Sequence, residues 1–499
     1  MVGGRRDAAF GTRPHRLLLA TPGHHLLLTP TFPPMADLSP PTHDLVVRGG
    51  TVVTADGRAH VDIGVRGSTI AQVGGPMRGL RELDAREKLV LPGGIDPHVH
   101  LTCSDLQEGE PTWADDFASG SAAALAGGIT TMGNMSYVLP SETISHRMEV
   151  EGADARAHSL ADVFLHPVIL SPSGSIIDEI PAMPRAGVTS LKFFMTFPSF
   201  DGFAAQFLLA MRAAGGAGSI TLIHCEDLAT IECCSTLMLA KRDRRVRDFP
   251  ETRPVIAEVT ATQRAIAMCE LTGAPTYIVH LSSERALAAC MEARSRGLPL
   301  YVETRPLYLH LTRACYERDD APLFVAQPPL REARDREALW RGLADGSIDT
   351  MGSDHAAWTR TQKMEPHLDV LDMRPGVADL DTMYPLLLSE GVLGGRISLE
   401  RFVALTSTNP ARLFGLYPRK GTIAVGSDAD LIVWETHAPR PIEAATLQSR
   451  ARHTVYEGMP VRATVRTTIR RGEIVYADGQ VVAGAGPGQI IDRGPTQRL

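Results

Sequence analysis

The sequence LVLPGGIDPHVH (residues 89–100) opens a series of short β-branched runs that alternate with amphipathic stretches up to about residue 420. The seven runs that follow are ITTMGN (129–134), VFLHPVI (163–169), VTSLKFFM (188–195), ITLIH (220–224), TYIVHL (276–281), PLYVET (299–304) and IDTMGSDH (348–355). Candidate helices between them include FAAQFLLAMRAA (203–214) and VIAEVTATQRAIAMCELTG (255–273). Eight such strand–helix units in series predict an α/β fold with a closed (β/α)8, TIM-like barrel.

Short alternating strands with turns flank this region on both sides. They begin with DLVVRGGTVVT from Asp44 and return in ADLIVWE (429–435) and in 461–482. Because a sheet of few strands cannot bury its apolar face alone, we expect both segments to form one small composite β-sandwich. The expected boundaries are 1–42 for a disordered extension or a misassigned start, 43–92 and 421–482 for the two parts of the sandwich, 93–420 for the barrel, and 483–499 for a flexible tail.

Charge and cysteine content exclude several classes of protein. A formal charge of −7 offers no basic surface for nucleic acid or an anionic membrane, and no apolar run is long enough to span a bilayer. The seven cysteines form no CxxC pair, which favours a reducing, cytoplasmic compartment over a disulfide framework. The first 34 residues contain four arginines and one acid, so a transit peptide is the alternative interpretation of that segment.

Metal-binding residue types fall at the ends of the predicted strands, where barrel enzymes place their active sites. These residues are His98, His100, Lys192, His224, His280 and Asp354. A single histidine is as often a core or surface residue, but four at ring positions of one barrel, with an aspartate on the last strand, indicate a metal site. Imidazole and carboxylate ligands without thiolate favour zinc, with manganese or cobalt as substitutes.

A pair of metals needs a bridging ligand in addition to hydroxide. The fourth run contains no acid, but Lys192 can bridge if its amine has reacted with carbon dioxide to form a carbamate. Two nearby dications would disfavour the ammonium form and leave the reactive neutral amine. A lysine that points out of the barrel is the alternative.

Several motifs resemble one family. They are ADDFASGSAAALAGGITT, SLKFFM, LIHCED, TYIVHLSS, VETRPLYL, QPPLRE, GSDH and GTIAVGSDADLIVW, together with the HVH of the first run. In this order, over about 43 to 480, they resemble the cyclic amidohydrolases, and most closely the D-hydantoinases and dihydropyrimidinases. The resemblance implies a metal-binding barrel with a composite sandwich, and usually a homotetramer.

The resemblance also implies roles for the six residues. His98, His100, N-carboxylated Lys192 and Asp354 would bind one divalent metal, and Lys192, His224 and His280 the other. A hydroxide that bridges the two metals would then attack a small cyclic amide such as a hydantoin, a dihydropyrimidine or a cyclic imide. Asp354 would take up its proton and return it to the ring nitrogen.

Four substrate-binding positions depart from the family pattern. Phe197 replaces a tyrosine that donates to the oxyanion, Gln327 replaces a serine, Arg305 replaces a cysteine, and Arg374 lies in a loop that usually contains Asn-Gly. Either arginine is available for an anionic substituent, although a structural role is the more common one. Loop residues Leu101, Trp113, Phe194 and Phe200 are candidates, with Phe197, for an apolar pocket.

Other functions remain open from the sequence. Thr102 stands where dihydroorotases have an arginine that binds a carboxylate, which argues against that activity, whereas an allantoinase remains an alternative. Hydrolysis of a different bond, in an acyclic amide or a lactone, is a third possibility, and Phe197 is the residue that suggests it. A non-catalytic scaffold protein is the alternative from a different class, but such relatives lose the metal ligands, and here all six positions are filled.

Overall fold

The protein is described by a computed structural model over residues 42–103, 112–140 and 142–499. The segment 1–42, for which we expect an extension or a misassigned start, lies outside the described residues except for Thr42. Among the described helices none combines the length and apolar character that crossing a bilayer requires.

The first strands belong to the sandwich. They are β1 (His43–Arg48), β2 (Thr51–Thr54), β3 (Gly57–His60), β4 (Ile63–Arg66), β5 (Thr69–Val73), β6 (Gly79–Asp84) and β7 (Leu89–Pro92). Near the other end of the chain lie β16 (Leu431–Pro441), β17 (Pro460–Arg470), β18 (Glu473–Ala477) and β19 (Gln480–Val481). A four-stranded sheet has the order β5-β4-β1-β6, and a seven-stranded sheet has the order β19-β18-β17-β16-β7-β2-β3. Since β7 pairs antiparallel with β16, the composite sheet from two distant segments is confirmed.

The remaining eight strands form one parallel sheet in chain order. They are β8 (Gly94–Val99), β9 (Ile129–Tyr137), β10 (Asp162–Val168), β11 (Ser190–Phe194), β12 (Ile220–His224), β13 (Thr276–Ile278), β14 (Leu300–Thr304) and β15 (Thr350–Met351). A parallel bridge between Val99 and His355 joins the last strand region to the first. The predicted TIM-like barrel is therefore confirmed.

The run LVLPGGIDPHVH is two strands rather than one. Residues 89–92 pair with β16 of the sandwich, whereas residues 94–99 pair with β9 of the barrel. Gly93 separates them, and its N–H donates to the Asp430 carbonyl at 2.7 Å. Both halves are buried, so burial pattern alone could not reveal the change of sheet.

Helices cover the outside of the barrel and extend its loops. They are α1 (Phe117–Ala126), α2 (Ile144–His158), α3 (Gly174–Glu179), α4 (Pro198–Gly202), α5 (Ala204–Gly216), α6 (Leu228–Leu239), α7 (Phe249–Thr252), α8 (Val255–Thr272), α9 (Glu284–Ser295), α10 (Pro306–His310), α11 (Ala333–Asp345), α12 (Arg360–Lys363), α13 (Met383–Leu386), α14 (Leu399–Val403) and α15 (Asn409–Leu413). Both quoted helix predictions are confirmed. The longest, α8, ends where Gly273 adopts a left-handed conformation with φ of 68°, which a glycine does without steric cost.

The lower half of the barrel is filled with apolar side chains. Phe414, which follows α15, packs against Phe164, His166 and Tyr277 of the strands, with ring centroids 5.2 to 5.7 Å apart. This packing closes the lower half of the barrel and leaves the carboxyl ends of the strands as its open end, as the barrel fold predicts.

Residues 483–499 are not the flexible tail that we expect from composition. The Val163 N–H donates to the Gln489 carbonyl, and the Ile491 N–H donates back to Val163, both at 2.8 Å. Arg493 enters the bottom of the barrel and donates to Ser190 Oγ and to the Leu165 carbonyl. The Gly- and Pro-rich composition gives no sign of this packing. The segment is held to the barrel by backbone hydrogen bonds to β10 and by the buried side chains of Ile491 and Arg493.

A buried ion cluster joins barrel and sandwich. Lys420 Nζ lies 2.7 Å from Asp162 of β10, 3.1 Å from Asp428 and 2.5 Å from Asp430. The three carboxylates are close enough to hold a cation. Lys420 is that cation, so we assign the cluster a structural role.

Candidate metal centre

Five of the barrel strands bring the six predicted residues to one end of the barrel. His98 lies in β8 and His100 just after it, Lys192 lies in β11, His224 ends β12, His280 lies two residues beyond β13, and Asp354 lies three residues beyond β15. Five of the six are at most 5% exposed and Asp354 is 9% exposed. The position of the strand ends explains this arrangement, because parallel strands all finish on the same face.

The side chains converge. Asp354 Oδ1 is 3.3 Å from His98 Nε2 and 3.2 Å from His100 Nε2, and the ligand atoms of these three residues all lie within 4.8 Å of one another. Lys192 Nζ lies 3.4 Å from His98 Nε2, so the lysine points inward and not out of the barrel.

The remaining two histidines complete the group. The His280 ring lies 5.4 Å from His98 and 4.5 Å from His224, measured between centroids. His224 therefore connects to the rest of the group through His280.

Two of these residues have an unusual backbone. His280 has φ of 37° and Asp354 has φ of 48°, which is left-handed conformation without glycine. Such conformations cost free energy and persist only where the surroundings impose them, commonly at functional sites. The loops after β13 and β15 thus direct these two side chains into the barrel mouth.

Two buried glutamates orient the imidazoles, and sequence reasoning missed both. Glu303 Oε1 is 2.9 Å from His98 Nδ1 and accepts from the His280 N–H at 2.8 Å. Glu226 Oε2 lies 2.8 Å from His224 Nε2 and also 2.8 Å from Arg253. A carboxylate behind a histidine fixes which nitrogen faces the metal. Both glutamates were visible in the sequence: Glu303 lies in the predicted strand PLYVET (299–304), and Glu226 lies two residues after His224.

Burial controls the charge of the group. It lowers the pKa of all four imidazoles, which favours their neutral, ligating form, and lowers the pKa of Lys192 to about 8. Burial also raises the pKa of Glu303 to about 8, against the hydrogen bonds that it accepts. For Asp354, burial acts upward, but nearby Arg305 and His98 outweigh it and hold the pKa of the carboxyl below its ordinary range.

This donor set fits divalent cations. Neutral imidazoles and one carboxylate are the ligands that zinc accepts, and within the described residues His280 Nδ1 is buried without a hydrogen-bond partner. Cys225, although next to His224, is not part of the cluster, and burial raises the pKa of its thiol well above the usual value.

A cavity of about 210 Å³ opens above the group. Its wall includes His100, His224, His280 and Asp354, together with Trp113, Tyr137, Phe194, Thr196, Phe197, Gln327, Ala356, Trp358, Pro375 and Gly376. A larger cavity of about 530 Å³ lies on the outside of the barrel, between α2 and the C-terminal segment, and none of the six residues lines it. The smaller cavity is therefore the candidate active site.

The predicted substrate contacts divide into two groups. Phe197 and Gln327 line the cavity, and Phe197 is 40% exposed. With its amide in the orientation that satisfies its neighbours, Gln327 accepts from Arg253 at 2.8 and 3.2 Å. Of the apolar loop residues, Trp113 and Phe194 line the cavity, whereas Leu101 and Phe200 belong to the core.

Neither predicted arginine reaches the cavity. Arg305 is fully buried and donates to Asp354 Oδ2 at 2.5 Å and to Asp379 Oδ2 at 3.0 Å. Arg374 donates to Glu365 and packs over Trp358. Arg305 is enclosed with two carboxylates and Arg374 pairs with Glu365, and neither arginine lines the cavity, so the structure gives neither of them a contact to substrate.

The parallel barrel with imidazoles, lysine and carboxylate at its open end places the protein in the class of metal-dependent barrel hydrolases. Comparison with known proteins gives the family: the amidohydrolase family matches residues 89–181 and 257–475, and the chain belongs to it. This family is metal-dependent, in agreement with the donor set.

Similar proteins cover nearly the whole chain. A D-phenylhydantoinase of Escherichia coli O1:K1 / APEC is 34% identical over 457 residues, which are 90% of this chain and 98% of the relative. The structure of a D-hydantoinase from Bacillus sp. AR9 matches with a TM-score of 0.87 and 35% identity, over 91% of this chain and all of the other. A dihydropyrimidinase from Brevibacillus agri NCHU1002 matches with a TM-score of 0.86 and 32% identity, over 91% of this chain and 99% of the other.

Proposed function

We propose that this protein is a hydrolase that opens cyclic amide rings of the hydantoin, dihydropyrimidine or cyclic imide kind. The observation that carries the proposal is the convergence of four imidazoles, a buried lysine and one carboxylate at the mouth of the barrel. The relatives that share this fold over nine-tenths of the chain are hydantoinases and a dihydropyrimidinase, which supports the ring-opening reaction.

The geometry of the site and the family resemblance support an assignment of the metal ligands. His98, His100, Asp354 and Lys192 would hold one ion, while Lys192, His224 and His280 would hold the other. Zinc is the proposed metal because of the imidazole and carboxylate ligands. When bound, two such ions lower the pKa of a water molecule to near neutrality and polarise the carbonyl of the amide.

Lys192 would bridge the two ions as a carbamate. Its amine is fully buried, and the lowered pKa leaves a substantial neutral fraction near pH 8. In carboxylation the amine nitrogen forms a bond with the carbon of CO2 and releases one proton to solvent. The product is an anion, which removes the cost of a buried ammonium beside cations.

Asp354 would move the proton. Water adds to the ring carbonyl carbon, the carbon–nitrogen bond breaks, and the nitrogen needs a proton to leave. Asp354 Oδ1 faces the two histidines, and Asp354 Oδ2 accepts from Arg305. As the resemblance implies, the carboxylate would take up the proton of the attacking water and return it to the ring nitrogen. The product carries a new carboxylate at one end and an amide or ureido group at the other.

The assembly proposed for this enzyme is a homotetramer, as the resemblance implies. Large apolar side chains are exposed on the outer helices α5, α6 and α8, at Leu209, Leu237 and Leu271. Burying such side chains against another copy would be favourable.

The test is a spectrophotometric screen with the zinc-loaded protein. Dihydrouracil, phenylhydantoin, allantoin, phthalimide and succinimide cover the proposed rings and the allantoinase alternative. We expect opening of at least one ring and, for the Asp354→Asn variant, a kcat lower by about 10² to 10⁴, the contribution of a general acid–base group.

Two results would contradict the proposal. If protein that elemental analysis shows to contain metal opens none of the rings, the ring-opening function is wrong. If no transition metal is bound after purification in added zinc, a scaffold role is favoured instead. An Asp354→Asn variant with unchanged kcat would remove only the proton-transfer role.

A further inference from the structure

The cavity wall contains a tyrosine to which the function proposed above gives no role. Tyr137 is the last residue of β9, and its ring lines the cavity between Trp113 and Phe194. The family pattern gave no reason to single it out. Because β9 is hydrogen-bonded on both sides, to β8 and β10, the base of this side chain is held on a rigid element.

The Tyr137 ring is fixed by its neighbours. It stacks on Phe194 with centroids 6.2 Å apart and planes inclined by 17°, and it lies 6.2 Å from Trp113 and 6.1 Å from His100. A ring packed on three aromatic neighbours has little freedom to turn away, so the position of its hydroxyl is well determined.

The hydroxyl has an unused hydrogen. Tyr137 Oη is 3.2 Å from His100 Nδ1, while His100 Nε2 faces Asp354 and the metal centre. A neutral imidazole carries one hydrogen. If Nε2 offers its lone pair to a metal, Nδ1 carries the hydrogen and donates it to Tyr137 Oη. Within the described part of the chain no hydrogen bond then uses the phenol's own hydrogen, which is free to be donated into the cavity.

Other polar groups of the wall are poorer candidates. The Trp358 indole N–H donates to the Pro375 carbonyl at 2.7 Å, and Gln327 is held by Arg253. Phe197 packs edge-on against Phe194, with centroids 5.5 Å apart, and has no donor at all. Thr196 is the remaining hydroxyl of the cavity, and it lies in a loop beyond β11 rather than on a strand.

We propose that the Tyr137 hydroxyl donates a hydrogen bond to the oxyanion that forms when water adds to the ring carbonyl. The inference rests on the proposed ring-opening function. As the carbonyl carbon becomes tetrahedral, its oxygen gains negative charge, and a preorganised O–H donor stabilises that charge more than the neutral carbonyl.

This assignment orients the substrate. The scissile carbonyl oxygen points to the β9 side of the cavity, and the ring substituent lies against Phe194, which ends β11, and Phe197, which follows it. An apolar wall of this kind favours a cyclic amide with an aromatic or aliphatic substituent over a polar one.

The experiment compares the zinc-loaded wild type with the Tyr137→Phe variant on the best substrate of the screen. We expect kcat to fall by about 10² to 10³, as for the loss of one oxyanion donor, with KM changed by less than about threefold. Zinc content should stay the same. Binding of a cyclic phosphinate analogue, whose phosphoryl oxygens resemble the tetrahedral intermediate, should weaken by a similar factor in calorimetry.

Three further variants make the result specific. Tyr301→Phe removes a phenol at the opposite end of the barrel and controls for the substitution itself. Thr196→Val removes the competing hydroxyl. Adding Phe197→Tyr to Tyr137→Phe returns a phenol to the same cavity and should recover at least about tenfold in kcat.

Each outcome decides the inference. An active wild type with unchanged kcat in Tyr137→Phe overturns it, as does a larger loss in Thr196→Val. A loss of kcat that follows a loss of zinc overturns it too, since Tyr137 would then only orient His100. A zinc-loaded wild type that opens no ring overturns the proposed function and this inference together.

Discussion

Lys192 and Lys420 show how neighbours decide the chemistry of a buried lysine. Both are at most 1% exposed. Burial lowers the pKa of Lys192 to about 8, and no carboxylate makes a hydrogen bond to its amine in the described structure. Burial acts the same way on Lys420, but Asp430, Asp162 and Asp428 outweigh it and raise the pKa of its amine above the ordinary value. Of these two lysines, Lys192 is therefore the one whose amine is more readily neutral and able to react with CO2.

This contrast leads to a prediction on metal uptake. Apoprotein prepared with a chelator in CO2-free buffer should bind fewer than two zinc ions per chain, and added ¹³C-bicarbonate should raise the zinc content and give one carbamate signal by NMR. Uptake should improve from pH 7 to pH 8.5, because the neutral amine fraction rises as the pH passes the lowered pKa.

The two buried lysines provide the controls for this experiment. The Lys192→Arg variant should show neither the signal nor the bicarbonate effect, while Lys420 should stay unlabelled in all samples. Full zinc loading without bicarbonate, or a carbamate signal that survives in Lys192→Arg, would contradict a bridging role for this lysine.

At the scale of elements, the C-terminal segment shows the limit of composition. Ile491 is 2% exposed and packs with the apolar residues at the bottom of the barrel, whereas Leu499, eight residues later, is 45% exposed. In the sequence, both are apolar residues in a Gly- and Pro-rich C-terminal segment, and no pattern distinguishes them. The pairing of this segment with Val163 of β10, a tertiary contact, is what buries Ile491 and not Leu499.

We predict different costs for truncating these two side chains. Ile491→Ala should lower the free energy of unfolding by about 2–5 kcal/mol, the usual range for a buried Ile reduced to Ala. Leu499→Ala should change it by no more than about 0.5 kcal/mol. Urea denaturation followed by fluorescence measures both, and equal effects would mean that the segment does not pack in solution.

At the scale of the whole molecule, Lys420 ties the barrel to the sandwich. Asp162 belongs to β10, whereas Asp428 and Asp430 precede β16, and the lysine amine contacts all three carboxylates. The barrel strand and the sandwich strand are more than 260 residues apart in sequence, so this contact closes a large loop.

Replacing that lysine should therefore be costly. Lys420→Met removes the buried cation at the centre of the three carboxylates and leaves Arg419 beside Asp428 and Arg471 beside Asp162. We expect a loss of about 3–5 kcal/mol in the free energy of unfolding at pH 8. The deficit against the wild type should shrink as the pH falls, because the buried carboxyls take up protons and lose their mutual repulsion.

The check is denaturation across pH 5 to 8, with Lys420→Met/Asp430→Asn as the matched variant. Removing one carboxylate should recover part of the stability. A Lys420→Met protein as stable as the wild type at pH 8 would show that this lysine does not stabilise the cluster.

Much of the fold and the composition of the candidate metal site could be predicted from the sequence. Short β-branched runs between amphipathic stretches predicted the eight barrel strands, and short alternating strands with turns predicted the composite sandwich, because both patterns are local to each element. The metal-binding residue types were equally visible, since parallel strands finish on one face and their terminal residues must therefore meet.

Tertiary structure alone decided what those residues touch. Arg305 is a buried partner of Asp354 and Asp379 rather than a substrate contact, and Glu303 stands behind His98. Tyr137 lies against His100 although 37 residues separate them. Such contacts depend on the packing of elements distant in the chain, and no local pattern of polarity or spacing encodes which partner a buried polar group will find.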